Sequence, residues 1–229
     1  LAELEKAART ADAVIFFATS ARYSEGSVLK NMDLPDGQAV AISTLAGANK
    51  NVVVVLMGGS AVSVEPWVDE VPVLLGAWFA GQATGHAIAD VLLGKVNPGG
   101  KLSFTMAKRL EDYPVHHFGE WPARLILDAP PGPSPFTPEE RKAVHAYSGE
   151  YKEGVFVGHR WFEGQGIEPR FAFGHGLSYT RFNFSDLSVA ITANELVVGC
   201  RVENTGDRPG SEVVQVYVHD HESRLVRPP

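Results

Sequence analysis

The sequence predicts an α/β protein, with a mostly parallel sheet followed by an antiparallel β-sandwich. Short, continuous apolar runs at residues 13–17 and 51–57 are typical of strands buried on both faces, and helical patterns lie between them. From Phe182 onwards the apolar residues recur at every second position, which is typical of half-buried antiparallel strands. A hydrophobic content of 45% and a charged content of 21% are those of a globular protein.

The N-terminal half supplies the helices and the parallel strands. Leu1, Leu4, Ala8 and Ala11 recur at helical spacing and predict an opening helix. We expect further helices at residues 39–48, with Asp36 as the N-terminal cap, and at 87–93, with Gly94 as the stop. The predicted strands are residues 13–17, 51–57, 71–79 and 101–106.

The C-terminal half is less regular. Residues 113–148 are rich in proline, so we expect a long loop with little secondary structure beyond a short helix at 138–144. Residues 154–162, including Arg160 and Trp161, resemble a strand. Alternating strands are then predicted at residues 187–191, 195–204 and 212–219. About three strands make only part of a β-sandwich.

The composition excludes several classes of protein. A net charge of −7 argues against binding to nucleic acid or to an anionic membrane surface, which requires a basic face. No apolar run approaches the roughly 20 residues that span a bilayer. A single cysteine, Cys200, cannot form an internal disulfide. The chain begins in mid-helix without Met and ends without a cap, so we expect a fragment of a longer protein.

The first candidate for chemistry is Glu25, beside Gly26 in the loop of residues 22–34 that follows the first buried strand. Functional groups of open α/β sheets gather at the carboxyl ends of the strands. The alternative is a solvated loop carboxylate. Glu153, which precedes Gly154, is a weaker rival because it does not follow a buried parallel strand.

Other motifs favour structural interpretations. Residues 76–83 have the glycine spacing of a phosphate loop but lack its Lys and Ser/Thr. Trp67 and Trp78 are expected to be core or interface aromatics rather than sugar platforms. His175, between two glycines, is expected in a turn. The remaining histidine clusters, expected at the surface because no suitable third metal ligand is near, are His116-His117 and His219-Asp220-His221.

Several stretches, in this order along the chain, match a known family. They are Ser24-Glu25-Gly26, Asp33-Leu-Pro-Asp-Gly-Gln38, residues 51–59, Pro66-Trp67, Ala77-Trp-Phe-Ala-Gly-Gln82, residues 87–94, Asn97-Pro-Gly-Gly-Lys-Leu102, residues 151–160, Phe173-Gly-His-Gly-Leu-Ser-Tyr-Thr180, Val202-Glu-Asn-Thr-Gly206 and Val213-Val-Gln-Val-Tyr217. Together they cover nearly the whole chain. The sequence resembles the C-terminal part of glycoside hydrolase family 3, among the bacterial β-glucosidase-like enzymes.

The resemblance implies a layout and an activity. Residues 1–112 would form the family's α/β sandwich domain, 113–181 a proline-rich loop and connector, and 182–229 a partial fibronectin-type-III-like β-sandwich. Glu25 would be the general acid/base of a retaining β-glucosidase. The Asp nucleophile would lie on an N-terminal barrel domain outside this chain, so the chain alone would be inactive.

The resemblance also implies the partners. The substrate class would be β-glucosides or short oligosaccharides, and no cofactor is implied because two carboxylates perform the chemistry. The family's bacterial members favour a periplasmic or secreted location. The proline-rich loop and the acidic surface are compatible with a homodimer contact.

One departure from the family pattern lies next to the candidate acid/base. Val28 and Leu29 stand where the family usually has a charged pair, which removes two charges from the loop. This leaves open a second hypothesis, a non-catalytic pair of domains used for assembly or binding. A third hypothesis, a flavodoxin-like nucleotide binder, fits a parallel sheet but lacks a phosphate loop.

Overall fold

The computed structural model describes residues 1–20, 31–121, 150–218 and 222, together with the backbone of 124–126 and 146–148. The chain divides into two compact units. The first contains Leu1–Phe79 and Thr105–Phe171, and the second contains Ala80–Phe104 and Ala172–Asp220. Among the described residues, no helix has the length and apolar character that crossing a membrane requires.

The helices and strands of the first unit are α1 (Ala2–Thr10), β1 (Val14–Thr19), α2 (Gln38–Ala48), β2 (Val52–Met57), β3 (Val73–Gly76), α4 (Pro114–His117), β4 (Arg124–Ile126), β5 (Ala146–Ser148) and α5 (His159–Gln165). Those of the second unit are α3 (Thr84–Leu92), β6 (Phe182–Ile191) and β7 (Leu196–Asn204). The predicted short helix at 138–144 falls outside the described residues.

The first unit is organised around a three-stranded parallel sheet in the order β1-β2-β3. The central strand β2 has fully buried Val52, Val54 and Val55, as its continuous apolar run predicts. Helix α2 packs on β1 and β2 and buries Ile42 and Leu45. The α/β class and the parallel sheet are therefore confirmed.

Asn49 links the two helices of this layer. Its side-chain amide donates hydrogen bonds to the carbonyl oxygens of Ala8 and Ala11, at 2.8 and 2.7 Å. Carbonyls at the end of a helix have no partner within the helix, so a side-chain donor at this place satisfies them. The amide thereby fixes the end of α1 against the end of α2.

The prediction that residues 101–106 form a strand is wrong. The backbone N–H of Leu102 donates to the carbonyl of His175 at 2.8 Å, and the N–H of Gly174 donates to the carbonyl of Leu102 at 2.7 Å. Met106 forms an isolated antiparallel bridge with Phe171. The backbone of residues 101–106 therefore forms hydrogen bonds with residues 171–175, far along the chain, and makes no continuous ladder with another strand.

The prediction of a strand at residues 154–162 is also wrong, since these residues form turns and the start of α5. Gly154 and Gly158 both have positive φ, which interrupts an extended run. Trp161 and Phe162, adjacent in sequence, are both buried in one cluster. Neighbouring side chains of a strand point to opposite faces, whereas neighbours on a helix can share a core. Arg160 and Trp161 are therefore helical residues.

Three smaller predictions are corrected. Residues 212–218 form no strand, and their valines stay 45–69% exposed, because no described strand pairs with them. Gly37 rather than Asp36 occupies the N-cap of α2, and both residues have positive φ at this turn. The loop predicted at 113–148 contains more structure than expected, namely α4 and the antiparallel pair β4-β5. Gly94, with positive φ directly after α3, ends that helix as predicted.

The second unit pairs β6 with β7 in an antiparallel hairpin that has an irregularity between Ser185 and Ser188. The side chain of Asn97 binds the segment before β6. Its oxygen accepts the N–H of Tyr179 at 2.8 Å, and its nitrogen donates to the hydroxyl of Ser178 at 2.9 Å. The Asn-Pro-Gly-Gly segment of residues 97–100 is thereby tied to the start of the hairpin.

Candidate active site

The candidate site is the edge of the parallel sheet where β1, β2 and β3 end at Thr19, Met57 and Gly76. Glu25, Val28 and Leu29 themselves lie outside the described residues. The structure does describe both ends of the segment that carries them, residues 19–20 and 31–35, together with the neighbouring strand ends. All of these residues belong to the first unit.

The two ends of that segment are joined by the side chain of Gln38, the first residue of α2. The N–H of Thr19 donates to Oε1 of Gln38 at 2.8 Å, and Nε2 of Gln38 donates to the carbonyl of Thr19 at 2.8 Å. The same Nε2 also donates to the carbonyl of Pro35 at 3.1 Å. One carboxamide therefore binds the last residue of β1 and the chain just before α2.

Two further contacts hold the segment's ends on the neighbouring strand. Ser20 donates its N–H to the carbonyl of Met57 at 3.0 Å, continuing the ladder past β1. Gly58 lies so near that a Cβ there would stand 2.0 Å from the Ser20 Oγ. On the returning side, the N–H of Ser63 donates to the carbonyl of Met32 at 2.6 Å. Glycine at position 58 is thus required because two segments of the chain approach closely there.

Two aromatic residues follow β3 at the same edge. The ring of Phe79 lies against Gly59, where a Cβ would come within 2.6 Å of it, and Phe79 remains 69% exposed. Trp78, with a φ of +47°, lays its indole ring over Gly76. Trp78 is half-buried, whereas Trp67 is only 1% exposed and belongs to the core, as expected.

An arginine from late in the chain fixes the segment that follows β2. The Arg170 guanidinium donates to both oxygens of Glu65, at 2.5 and 2.8 Å, and to Asp69 at 2.8 and 3.2 Å. The hydrogen bond from Arg170 lowers the pKa of Glu65, and the bonds to Glu65 and then Asp69 raise the pKa of Arg170. This cluster lies next to Ser63, the residue that binds Met32.

An open cleft of the first unit is lined by further charged groups, including Lys108, Glu168, Arg109 and Asp112. Each cation already has a carboxylate partner. Lys108 contacts Glu168 at 2.6 Å, which lowers the pKa of Glu168, and Arg109 contacts Asp112 at 2.8 Å. A cleft whose described charges are paired internally offers little to bind a ligand.

The other residues considered in the sequence take structural places. Glu153 lies in a turn and is 7% exposed. His175 lies in a turn as predicted, and burial, together with nearby Lys101, lowers its pKa. His117 packs its ring on Trp161 and Phe118. No cluster of three or more potential metal ligands occurs within the ranges that the structure describes.

Sequence reasoning missed the roles of Gln38 and Arg170. Gln38 was part of a recognised motif, but a carboxamide at the start of a helix does not reveal a partner 19 positions earlier. Arg170 lies more than 100 positions from both of its carboxylates. A signal for Arg170 did exist: the residues directly after it, 171–174, are apolar or glycine, and an unpaired charge beside buried apolar residues would be costly.

Comparison with known proteins gives consistent matches. Residues 1–179 match the model of the glycosyl hydrolase family 3 C-terminal domain. The chain is 41% identical, over 99% of its length, to thermostable beta-glucosidase B of Acetivibrio thermocellus, and 37% identical, over 89%, to beta-glucosidase BoGH3A of Bacteroides ovatus. It spans 28% and 25% of these relatives, or about a quarter of their length.

Comparison with solved structures also finds beta-glucosidases. The GH3 beta-glucosidase of Bifidobacterium adolescentis superposes with a TM-score of 0.83 at 36% identity, covering 99% of this chain and 31% of that one. A beta-glucosidase of Kluyveromyces marxianus, in complex with glucose, gives a TM-score of 0.83 at 32% identity, covering 99% of this chain and 25% of that one.

Proposed function

The chain belongs to glycoside hydrolase family 3, and from this premise we propose that it is part of a retaining β-glucosidase to which it contributes Glu25 as the general acid/base. The observation that carries the proposal is the anchoring of the Glu25 segment at the carboxyl edge of the parallel sheet. Gln38 and Ser63 hold that segment by its two ends. Loops in this position of an α/β sheet commonly carry functional groups.

The reaction divides between two carboxyl groups about 5–5.5 Å apart. In the first step a carboxylate nucleophile attacks the anomeric carbon, and Glu25 gives its proton to the departing glycosidic oxygen. In the second step Glu25, now ionised, takes a proton from water, and the water oxygen displaces the nucleophile from the anomeric carbon. We assign the nucleophile to an Asp of a barrel domain in the full-length protein, because no motif of this chain matches one.

The named relatives support β-linked glucosides or short oligosaccharides as substrates. In this proposal residues 1–112 form the α/β sandwich domain, 113–181 the connector and 182–229 a partial fibronectin-type-III-like domain. The first of these domains would cover the barrel's site and deliver the proton.

The test uses the full-length protein and compares Glu25→Gln, Glu25→Ala and the rival variant Glu153→Gln. We expect Glu25→Gln to lower kcat/KM for a glucoside with a poor leaving group by about 10²–10⁴-fold. Azide should restore turnover by Glu25→Ala on a dinitrophenyl glucoside and yield β-glucosyl azide, since the anion needs no general base. Near-parental rates for both Glu25 variants, with a selective loss in Glu153→Gln, would assign the role to Glu153 instead.

The chain on its own should show no hydrolysis of a chromogenic β-glucoside, because one of the two carboxylates is missing. The preparation should first show cooperative unfolding, so that inactivity is not confused with misfolding. Clear turnover by the chain alone, absent from its Glu25→Gln variant, would mean that it also contains the nucleophile.

A non-catalytic role in assembly is favoured by one observation, the replacement of a charged pair by Val28 and Leu29. If this hypothesis holds, the full-length protein does not hydrolyse β-glucosides, and introducing Asp and Arg at positions 28 and 29 leaves it inactive. Measurable turnover by the unaltered protein that depends on Glu25 excludes this role.

A further inference from the structure

We propose that Gln38 is a positioning residue for the acid/base, because its carboxamide closes the segment that carries Glu25. The inference rests on the function proposed for Glu25. It concerns a different residue, however, and all of the atoms that carry it lie within the described part of the chain.

Beside the last residue of β1, the side chain of Gln38 occupies the place that a neighbouring strand would take. The N–H groups of Val14 and Ser20 donate to carbonyls of β2 and the residue before it, at 2.9 and 3.0 Å. Because backbone groups alternate in direction along a strand, the N–H and C=O of Thr19 point to the opposite side, away from β2. The carboxamide of Gln38 meets both groups there, each at 2.8 Å.

A carboxamide carries a donor and an acceptor side by side, as the peptide group of a neighbouring strand does. Gln38 therefore completes the ladder at the last residue of β1 with a side chain instead of a strand. A carboxylate at this position would accept the N–H of Thr19 but would face its carbonyl oxygen without a proton to donate. A hydrocarbon side chain would leave both groups of Thr19 without this partner.

The hydrogen bonds of the Gln38 carboxamide to Thr19 and Pro35, here called the clamp, affect the acid/base because they lie on both sides of its segment. Thr19 precedes the Glu25 segment and Pro35 follows it, and the carboxamide binds both. Breaking the clamp leaves the backbone ladder of Ser20 and the Ser63–Met32 bond in place. The expected consequence is a segment that stays attached to the sheet with ends free to shift by a fraction of an ångström, not an unfolded protein.

A small displacement of a general acid has a specific kinetic signature. A poor leaving group departs only with a proton delivered along a hydrogen bond, so its rate is sensitive to the acid's position. A good leaving group departs without that proton. Loss of positioning therefore lowers kcat/KM, which reports the first chemical step, on poor leaving groups alone. A merely structural role would lower both rates equally through the amount of folded protein.

The experiment uses the full-length protein and three variants: Gln38→Glu, Gln38→Met and the control Gln165→Glu. Gln165 is an exposed residue at the end of α5. For each variant the ratio of kcat/KM for methyl β-glucoside to that for 2,4-dinitrophenyl β-glucoside is measured within one preparation, so the folded fraction cancels. We expect the ratio to fall about tenfold for both Gln38 variants, and less than twofold for Gln165→Glu.

If the Gln38 variants fail to fold, Gln38→Asn provides the same test, because it keeps both groups of the amide but withdraws them by one methylene. An unchanged ratio in a folded Gln38 variant, alongside a selective loss in Glu25→Gln, overturns this inference alone. If Glu25→Gln itself shows no selective loss on the poor leaving group, the proposed function fails and this inference fails with it.

Discussion

Replacing Arg170 by Met tests the charged cluster that fixes the segment after β2. The variant keeps an unbranched, uncharged stem in place of the aliphatic part of the side chain and removes four hydrogen bonds to Glu65 and Asp69. The bidentate pair with Glu65 is partly buried, with side-chain exposures of 20% and 28%, so we assign it about 1–1.5 kcal/mol. Asp69 is 78% exposed and adds at most about 0.5 kcal/mol.

The expected loss in the free energy of unfolding at pH 7 is therefore about 1.5–2 kcal/mol, or about 3–8 °C in Tm for a chain of this size. Its pH dependence has a definite sign. Because the pKa of Glu65 is lower in the folded state than its ordinary value of 4.5, the stabilisation is complete above that value. It is lost as the pH falls through the folded-state pKa.

The assay is urea unfolding of the parent and the variant at pH 7 and near pH 3, with Arg201→Met as the control. Arg201 is an exposed arginine of β7. The difference between the parent and Arg170→Met should shrink markedly at the lower pH, and Arg201→Met should differ from the parent by less than about 0.5 kcal/mol at both. An equal loss at both pH values would refute the reasoning, because the arginine would then stabilise by packing rather than through carboxylates.

Three further substitutions test packing in the two units. Gly176→Ala should destabilise by more than about 2 kcal/mol, because its Cβ would stand 2.2 Å from the carbonyl oxygen of Gly100; Gly47→Ala, within α2 and with open space around it, should stabilise by about 0.5–1 kcal/mol. A smaller loss for Gly176→Ala than for a typical surface change, measured by thermal unfolding, would contradict the close approach. Trp161→Phe should lower the free energy of unfolding by about 1–3 kcal/mol, because it removes a buried N–H that donates to the carbonyl of Asp112 at 2.9 Å. An unchanged Tm would show that this hydrogen bond does not contribute to stability.

The sequence predicted the parallel sheet well because its signal is local. A strand buried on both faces must be apolar throughout, and the continuous apolar runs locate both β1 and β2. Only β2 is buried as expected, because in β1, at the edge of the described sheet, Ile15 and Phe17 remain 49% and 51% exposed. The helices α1, α2 and α3 were predicted to within a few residues for the same reason, since helical periodicity and glycine stops are also local signals.

The failures occurred where distant residues decide the structure. Residues 101–106 are apolar enough for a strand, but Leu102 and Met106 find partners about 65–73 positions later. The run at 154–162 also resembles a strand, yet two glycines with positive φ interrupt it, and the joint burial of Trp161 and Phe162 accompanies a helix. Neither outcome follows from spacing alone.

The same contrast between local signals and contacts of distant residues applies to the candidate site. Its location was predictable, because β1 ends where the motif containing Glu25 begins and the carboxyl edge of a sheet collects function. The groups that hold it were not predictable. Gln38 and Arg170 act through contacts that span 19 and more than 100 positions, which only the folded chain brings together.

The central claim is that Glu25 forms one half of a two-carboxylate site, and a crystal structure of the full-length protein with a bound, unreactive β-thioglucoside tests it most directly. The measurement is the distance from the Glu25 carboxyl group to the glycosidic sulfur and to the Asp carboxylate on the opposite side of the anomeric carbon. The account predicts hydrogen-bond range, about 3–3.5 Å, to the sulfur and about 5–5.5 Å between the two carboxyl groups. A Glu25 carboxyl group more than about 10 Å from the ligand, with another acid beside the sulfur, would contradict it.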